Sequence, residues 1–334
     1  MKDKSAGIRI EYIDIYRSFG IILMIMGHVG FGQSFDHYIH AFHMPMFFFI
    51  SGFLYKDRVL PFSVYLKKKS KSLLFPYLVF GTVLYSINAV IHGSFDLNFV
   101  RSFLLFPTQA PSIAGALWFL PSLFFADILY FGINKTKKTG IVCVLVILSA
   151  LIGQFVPALL GIEFPFALSG SFVGVGLMHI GRVLRKYESK LVNLKVYYVV
   201  IGCLVVSFSI MRSDYVNMRA GVYPKDFLIF WVNSVLASVL LLNIAKGIDS
   251  LCRIRIINRY LNNIGKNSIV YLCLNQAIII LCFDALYFAV DRLPVVSVPM
   301  IVIRIAVLCG SLVLLFLLSL LFDKTKMRVL LGRF

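Results

Sequence analysis

Arg17, His28, His40 and His43 are the residues of this 334-residue chain whose types and spacing could do chemistry. They lie in an otherwise apolar stretch, 9–55, where ionisable groups are costly and so are functional candidates by default. Arg17 and His28 stand eleven positions apart. On a helix that spacing puts them on one face, roughly 16 Å apart along the axis. Asp14, Ile21 and Met24 share the stripe. A long, thin, anionic ligand that met Arg17 first would deliver its far end to His28, where a neutral imidazole can act as a general base. The structural alternatives are that Arg17 snorkels to an interface with Asp14 as its ion partner, and that His28 is a hydrogen-bonded packing histidine. His40 and His43 are at i and i+3 and share a face. No Asp, Glu or Cys in the same turn completes a ligand set, so no metal is expected. Ser51-Gly52 closes the stretch. It would let a second helix approach closely, and no GxSxG elbow marks Ser51 as a nucleophile.

The elements that must position these residues are membrane helices. The chain is 60% hydrophobic, 14% charged and has a mean hydropathy of +0.88. Soluble domains are about one-quarter charged. The composition therefore implies an all-α polytopic membrane protein, and the lack of any polar linker implies a single membrane domain over 1–334 with no soluble appendage. Spans of about 20 apolar residues are expected at 13–31, 39–55, 73–92, 113–133, 140–158, 166–184, 195–211, 227–246, 267–287 and 298–321, about ten helices. Prolines punctuate them: Pro61, Pro107, Pro111, Pro157, Pro224 and Pro294 fall near ends, and Pro45, Pro76, Pro121, Pro165 and Pro299 near starts, where a missing N–H costs little.

Of the 33 Lys and Arg residues, 26 fall in the N-terminus, in alternate loops and in the tail. They include Lys2, Lys4, Arg9, Arg58, Lys68, Lys71, Lys135, Arg182, Arg253 and Arg333. The intervening segments hold only Arg101, Arg212, Arg219, Lys225 and Arg292. By the positive-inside rule both termini are cytoplasmic. The net charge of +18 thus reads as lipid-facing loops, not nucleic-acid binding. No A-x-A-like cleavage site follows 23–30, so the first apolar run reads as a retained helix. The six cysteines (Cys143, Cys203, Cys252, Cys273, Cys282 and Cys309) contain no CxxC and read as packing residues. Gly265-Lys266-Asn267-Ser268 lacks the upstream glycine of a phosphate-binding loop.

Further polar groups fall inside spans. Trp118 opens a Trp-Phe-Leu run, Asp127 lies deeper in the same helix, His179 stands near an inner helix end, and Asn275-Gln276 sits mid-helix, where unpaired amides are expensive. The Gly170–Gly174 pattern reads as a packing face. The stretch Tyr65-Leu-Lys-Lys-Lys-Ser-Lys71 is a dense cationic patch, suited to anionic headgroups or to the phosphates of a cofactor. The segments 93–112 and 212–226, on the Lys-poor side, could shape a polar cleft.

The run D-I-Y-R-x(10)-H (Asp14, Arg17, His28), followed by H-x-x-H-M-P-M-F-F-F-I-S-G-F-L (His40 to Leu54), resembles the acyltransferase-3 family, more narrowly its fucose 4-O-acetylase-like branch. Trp118-Phe119-Leu120 and I-G-K-N-S-I-V-Y-L (Ile264 to Leu272) are similar to further family signatures. The resemblance implies an integral enzyme of a bacterial cell (inner or plasma) membrane. Such an enzyme moves an acyl group, usually acetyl, from cytoplasmic acyl-CoA to a hydroxyl of a cell-surface or lipid-linked sugar. It implies acetyl-CoA as a substrate rather than a permanently bound cofactor. It assigns catalysis to His28 and Arg17, with Arg17, Lys68 and Lys71 toward the donor. Lys68-x-x-Lys71 stands where many members have Arg-x-x-Arg, which keeps charge but loses the bidentate fork. Asn275 stands where many have His, which keeps hydrogen bonding but not titration. His40, His43, Trp118 and Asn275 are expected on the acceptor side, with Asp14, Ser51 and Gly52 structural. The competing readings are a secondary transporter or flippase, in which the buried Arg, His and Asp form a substrate path, and a non-catalytic membrane scaffold.

Overall fold

The computed structural model describes residues 10–57, 60–93, 97–251, 255–290 and 298–333. Lys2, Lys4, Arg9, Arg58, Cys252, Arg253, Arg292 and Pro294 lie outside them. In chain order the helices are α1 (Glu11–Val29), α2 (Gln33–His40), α3 (Pro45–Phe53), α4 (Phe62–Lys69), α5 (Phe75–His92), α6 (Leu97–Leu104), α7 (Phe119–Asn134), α8 (Thr139–Leu160), α9 (Leu168–Arg185), α10 (Glu188–Leu191), α11 (Val196–Arg212), α12 (Phe227–Leu251), α13 (Arg255–Lys266), α14 (Ser268–Val290) and α15 (Met300–Lys324). Eight helices among the described residues are long and apolar enough to cross a membrane, and α11 is a shorter apolar helix. Large apolar side chains such as Val90, Ile147, Leu159, Leu204, Phe208 and Leu228 stand exposed. In a bilayer these are the lipid-facing surface, where no water penalises them.

Three expected elements differ from what forms. The second span is not one helix over 39–55. It begins at Gln33, breaks into turns at 41–44 and resumes at Pro45. Pro45 has no N–H to donate and crowds the preceding turn, yet the amides of His43 and Met46 still reach the carbonyls of Ile39 and Phe42 at 2.9 Å. The chain therefore bends without unravelling. The third span does not begin at 73. Helix starts at Phe62 and runs through a five-residue π-helical turn, Ser70–Leu74, into α5. That wide turn falls just before Pro76, where an α-helix would set a carbonyl against the proline ring. Lys68 is thus on a helix and Lys71 in the π turn. The fourth span opens as a 3-10 helix, Ser112–Trp118, before α7. The polar α13, expected as loop, packs along α1. There a Cβ on Gly265 would lie 1.9 Å from the Asp14 carbonyl oxygen.

Helix α1 is the axis of the core. It packs against α12, α13, α14 and α15, and its inward face (Tyr12, Ile15, Tyr16, Ile21, Met24, Ile25) is buried. The Tyr16 hydroxyl donates to the Met46 carbonyl at 3.2 Å, which ties α1 to α3. Gly30, at φ 84, ends α1 in the left-handed conformation that glycine adopts without strain, and its N–H returns to Met26 and Gly27. His28 is therefore held in the last turn of α1. Helix α3 is buried almost throughout and packs on α9 backbone to backbone. A Cβ on Gly52 would fall 1.8 Å from the Met178 carbonyl oxygen, and one on Gly181 would fall 2.1 Å from that of Phe49. Without a hydrophobic drive between helices in lipid, such small-residue contacts are how helices gain packing. The tail folds back, so that Gly332 nests at the Lys71 carbonyl of the π turn. Arg333 bonds Asn267 and Asp323 there, at 2.9 and 3.0 Å.

Candidate active site

The end of α1, the α2–α3 bend, the 3-10 turn before α7, the middle of α14 and the 217–219 segment enclose one cavity of about 240 Å³. His28, His40, His43 and Trp118 all line it. Four residues scattered from 28 to 118 in sequence thus share one space. Asn275 stands behind it, fully buried, and its Oδ1 lies 2.6 Å from His28 Nδ1. Asn275 Nδ2 donates to the Leu272 carbonyl at 2.7 Å, which settles the orientation of the amide. Oδ1 can only accept, so the shared proton sits on His28 Nδ1. Nε2 then carries the lone pair. It has no partner in the chain among the described residues. His28 sits deep in the fold and is nevertheless exposed, because the surface it shows is the cavity wall. A neutral imidazole with Nδ1–H anchored and Nε2 open is arranged to take a proton from a hydroxyl.

His40 and His43 are fixed by their own turn. His40 Nδ1 donates to the Asp36 carbonyl at 2.8 Å and stands 3.2 Å from Asp36 Oδ1. His43 Nδ1 donates to the Ile39 carbonyl at 2.8 Å. Their rings meet edge to face with centroids 4.9 Å apart. Both Nδ1 atoms are thus committed, and the two side chains form one edge-to-face wall. The Tyr215 hydroxyl donates to Asp36 Oδ2 at 3.0 Å. Burial and the neighbouring Asp36 carboxylate push the pKa of that hydroxyl up, so it stays a donor.

Arg17, Lys68 and Lys71 do not line the cavity. Arg17 Nη1 lies 3.5 Å from Asp14 Oδ1, with its side chain 34% exposed. Lys68 and Lys71 are exposed. The patch contributes one internal pair, since Lys69 Nζ meets the buried Asp127 carboxylate at 2.6 Å. The Ser51 hydroxyl is turned back onto the Phe47 carbonyl at 2.8 Å.

Gln276, the second of the two mid-helix amides, lines the cavity too, as do Arg219, Asp36 and Asn217, which the spacing of residues does not single out. Arg219 Nε and Nη2 donate to the carbonyls of Thr108 and Ala110 at 2.6 and 2.9 Å. Burial lowers its pKa from the ordinary guanidinium value. Gln276 Oε1 accepts the Ala116 N–H at 2.8 Å. The signal that could have found Arg219 is its sign: it is one of few cations on the Lys-poor side of the chain.

This is a helical membrane protein in which a histidine, anchored through Nδ1, lines a polar cavity. The acyltransferase-3 family model, described as "Acyltransferase domain", matches residues 10–322, and the chain belongs to that family. It is thus a membrane acyltransferase. Neither a curated protein nor a solved structure matches the chain.

Proposed function

We propose that this protein is a membrane-bound O-acyltransferase, of the fucose 4-O-acetylase-like branch. In this reading it moves an acyl group, acetyl by preference, from cytoplasmic acyl-CoA to a hydroxyl of a cell-surface or lipid-linked glycan. The observation that carries the reading is the Asn275–His28 pair facing a cavity shared with His40, His43 and Trp118.

In this mechanism His28 Nε2 removes the proton of the sugar hydroxyl as its oxygen attacks the thioester carbon. The tetrahedral intermediate collapses with cleavage of the C–S bond, and His28 returns its proton to the leaving CoA thiolate. Asn275 Oδ1 holds the imidazolium through Nδ1–H. His40, His43 and Trp118 form the acceptor wall. Arg17 lies along α1 toward the Lys- and Arg-rich end. It receives the anionic donor, with Lys68 and Lys71 as outer phosphate contacts. Both termini and that end are cytoplasmic, so donor and acceptor approach His28 from opposite sides of a cell membrane.

The test is mass spectrometry of surface glycans from wild-type and His28→Ala cells, with CoA release by the purified protein. The reading requires loss of one acyl mass per repeat and of CoA release. Solute or glycan transport that survives His28→Ala, with no CoA release from wild type, would instead make the protein a transporter.

A further inference from the structure

Arg219 is a cation that the acyl-transfer scheme leaves without a task. Two of its donors are spent on the carbonyls of Thr108 and Ala110. Those bonds fix the guanidinium plane but do not neutralise it. No carboxylate lies within ion-pair distance of it among the described residues. The acids around it are engaged elsewhere. Asp36 pairs with His40 and accepts from Tyr215. Glu163 accepts from the Thr108 hydroxyl and the Gln109 amide. A partly buried cation without a direct ion pair is costly, and Glu163 offsets that cost only through space.

The nitrogen with no partner among the described residues, Nη1, lies at a specific place. A Cβ on Gly115 would lie 2.9 Å from Arg219 Nη1 and 2.9 Å from Gln276 Nε2. Gly115 thus has no side chain to hold the two apart, and Arg219 and Gln276 both pack against it, with Gln276 Oε1 3.2 Å from the same point. Gln276 is held for this by its Oε1, which accepts from the Ala116 amide. Gly115, Arg219 and Gln276 all line the cavity that His28 lines. A guanidinium beside an amide on a cavity wall, with no carboxylate in ion-pair distance among the described residues, is donor chemistry, and the complementary ligand is an oxyanion.

We propose that Arg219 and Gln276, around Gly115, form an anion subsite that reads a carboxylate or phosphate on the acceptor, so the acceptor is an acidic glycan or a lipid-linked phosphosugar. Naming the ligand as acceptor rests on the acyl-transfer reading, whereas the anion subsite stands on geometry alone. The subsite also gives a reason for the site to be built partly from the 217–219 segment. That segment carries the charge that distinguishes acceptors, while α1 and α14 carry the base.

The experiment is thermal unfolding of the full chain in detergent, titrated at constant ionic strength with glucuronate, inorganic phosphate and glucose. Only a ligand of the folded state raises the midpoint. Wild type is expected to be stabilised by one of the two anions and not by glucose. A response to glucuronate identifies a sugar carboxylate, and a response to phosphate identifies the lipid-linked group. Arg219→Gln should weaken anion binding about 10- to 100-fold, the range for losing a hydrogen bond to a charged group. Arg219→Lys should retain part of it, because charge persists while the fork is lost. Gly115→Ala, whose methyl would press on both Arg219 Nη1 and the Gln276 amide while keeping the charge, should weaken it as well. No anion response in wild type, or an equal response in Arg219→Gln and Gly115→Ala, overturns the proposal. If Arg219→Gln does not fold, the Arg219→Lys and Gly115→Ala titrations decide. Because His28→Ala should bind the anion as wild type does, failure of the subsite and failure of acyl transfer give separate results.

Discussion

Replacing Asn275 with Ala isolates the contribution of the group behind the base. His28 Nδ1–H donates to Asn275 Oδ1 at 2.6 Å. In the ground state that bond joins two neutral groups and is worth about 1 kcal/mol, but once the imidazolium forms it joins a cation to an acceptor and is worth about 1.5–3 kcal/mol. Only the difference, about 0.5–2 kcal/mol, lowers the barrier, which is about 2- to 30-fold in rate. Without the bond the ring also loses its fixed tautomer and its fixed flip, each worth up to about twofold as a choice between two states. Together these predict a fall in kcat of about 10- to 100-fold, in line with the usual cost of removing an orienting partner. KM for acyl-CoA should hold, because Asn275 does not touch the donor path. The assay is single-turnover CoA release by purified protein, beside a thermal unfolding curve to exclude a folding defect. Asn275→Asp should recover much of the rate, its acid proton bonding the Leu272 carbonyl as the amide does. A kcat within threefold of wild type in Asn275→Ala would refute the assignment of Nδ1 as the anchored nitrogen.

Two further predictions concern the scaffold. Gly52→Ala puts a methyl 1.8 Å from the Met178 carbonyl oxygen, so α3 and α9 must separate. The loss should be at least the ~1–3 kcal/mol of ordinary overpacking. Gly132→Ala on α7, where a Cβ meets nothing within 4 Å, should be neutral or stabilising, and equal melting of the two variants would contradict the contact. Lys69 and Asp127 pair at 2.6 Å with side-chain exposures of 28% and 4%. Lys69→Met alone should cost ~1–3 kcal/mol, less than for a wholly buried pair because solvent reaches the lysine. The double variant Lys69→Met/Asp127→Leu should recover most of that loss in thermal unfolding. Additive losses would mean the two side chains do not interact.

Much of the fold was legible because the signals that set it are local. Apolar runs of helical length and prolines near their starts and ends each act within a few residues. Most of the expected spans accordingly fall within a few residues of the helices that form. The misread places are those where one residue bends a helix without ending it. Pro45 breaks 39–55 yet leaves the chain helical on both sides, and Pro76 follows a π turn that carries helix back to Phe62. Composition cannot report such bends, because hydropathy is the same on either side. Helix α13 was missed for the opposite reason. It is polar, and only its packing on α1 through Gly265 makes it an element.

For the site, the sequence by itself determined which residues were costly: Arg17, His28, His40 and His43 stood out because ionisable groups in an apolar helix need a reason. It also determined that Arg17 and His28 share a face, since helical periodicity is a property of the backbone alone. Only the tertiary structure decided what each residue meets. Asn275, 247 positions from His28, is its partner because α14 packs beside α1. Arg219 enters the same cavity because two loop carbonyls hold its plane, and Gly115 matters because only a residue without a side chain lets Arg219 and Gln276 pack there. A lone pair freed on one ring nitrogen and a cation left without a direct ion pair are properties of an arrangement in space. They arise only when segments distant in the chain are brought within hydrogen-bond distance.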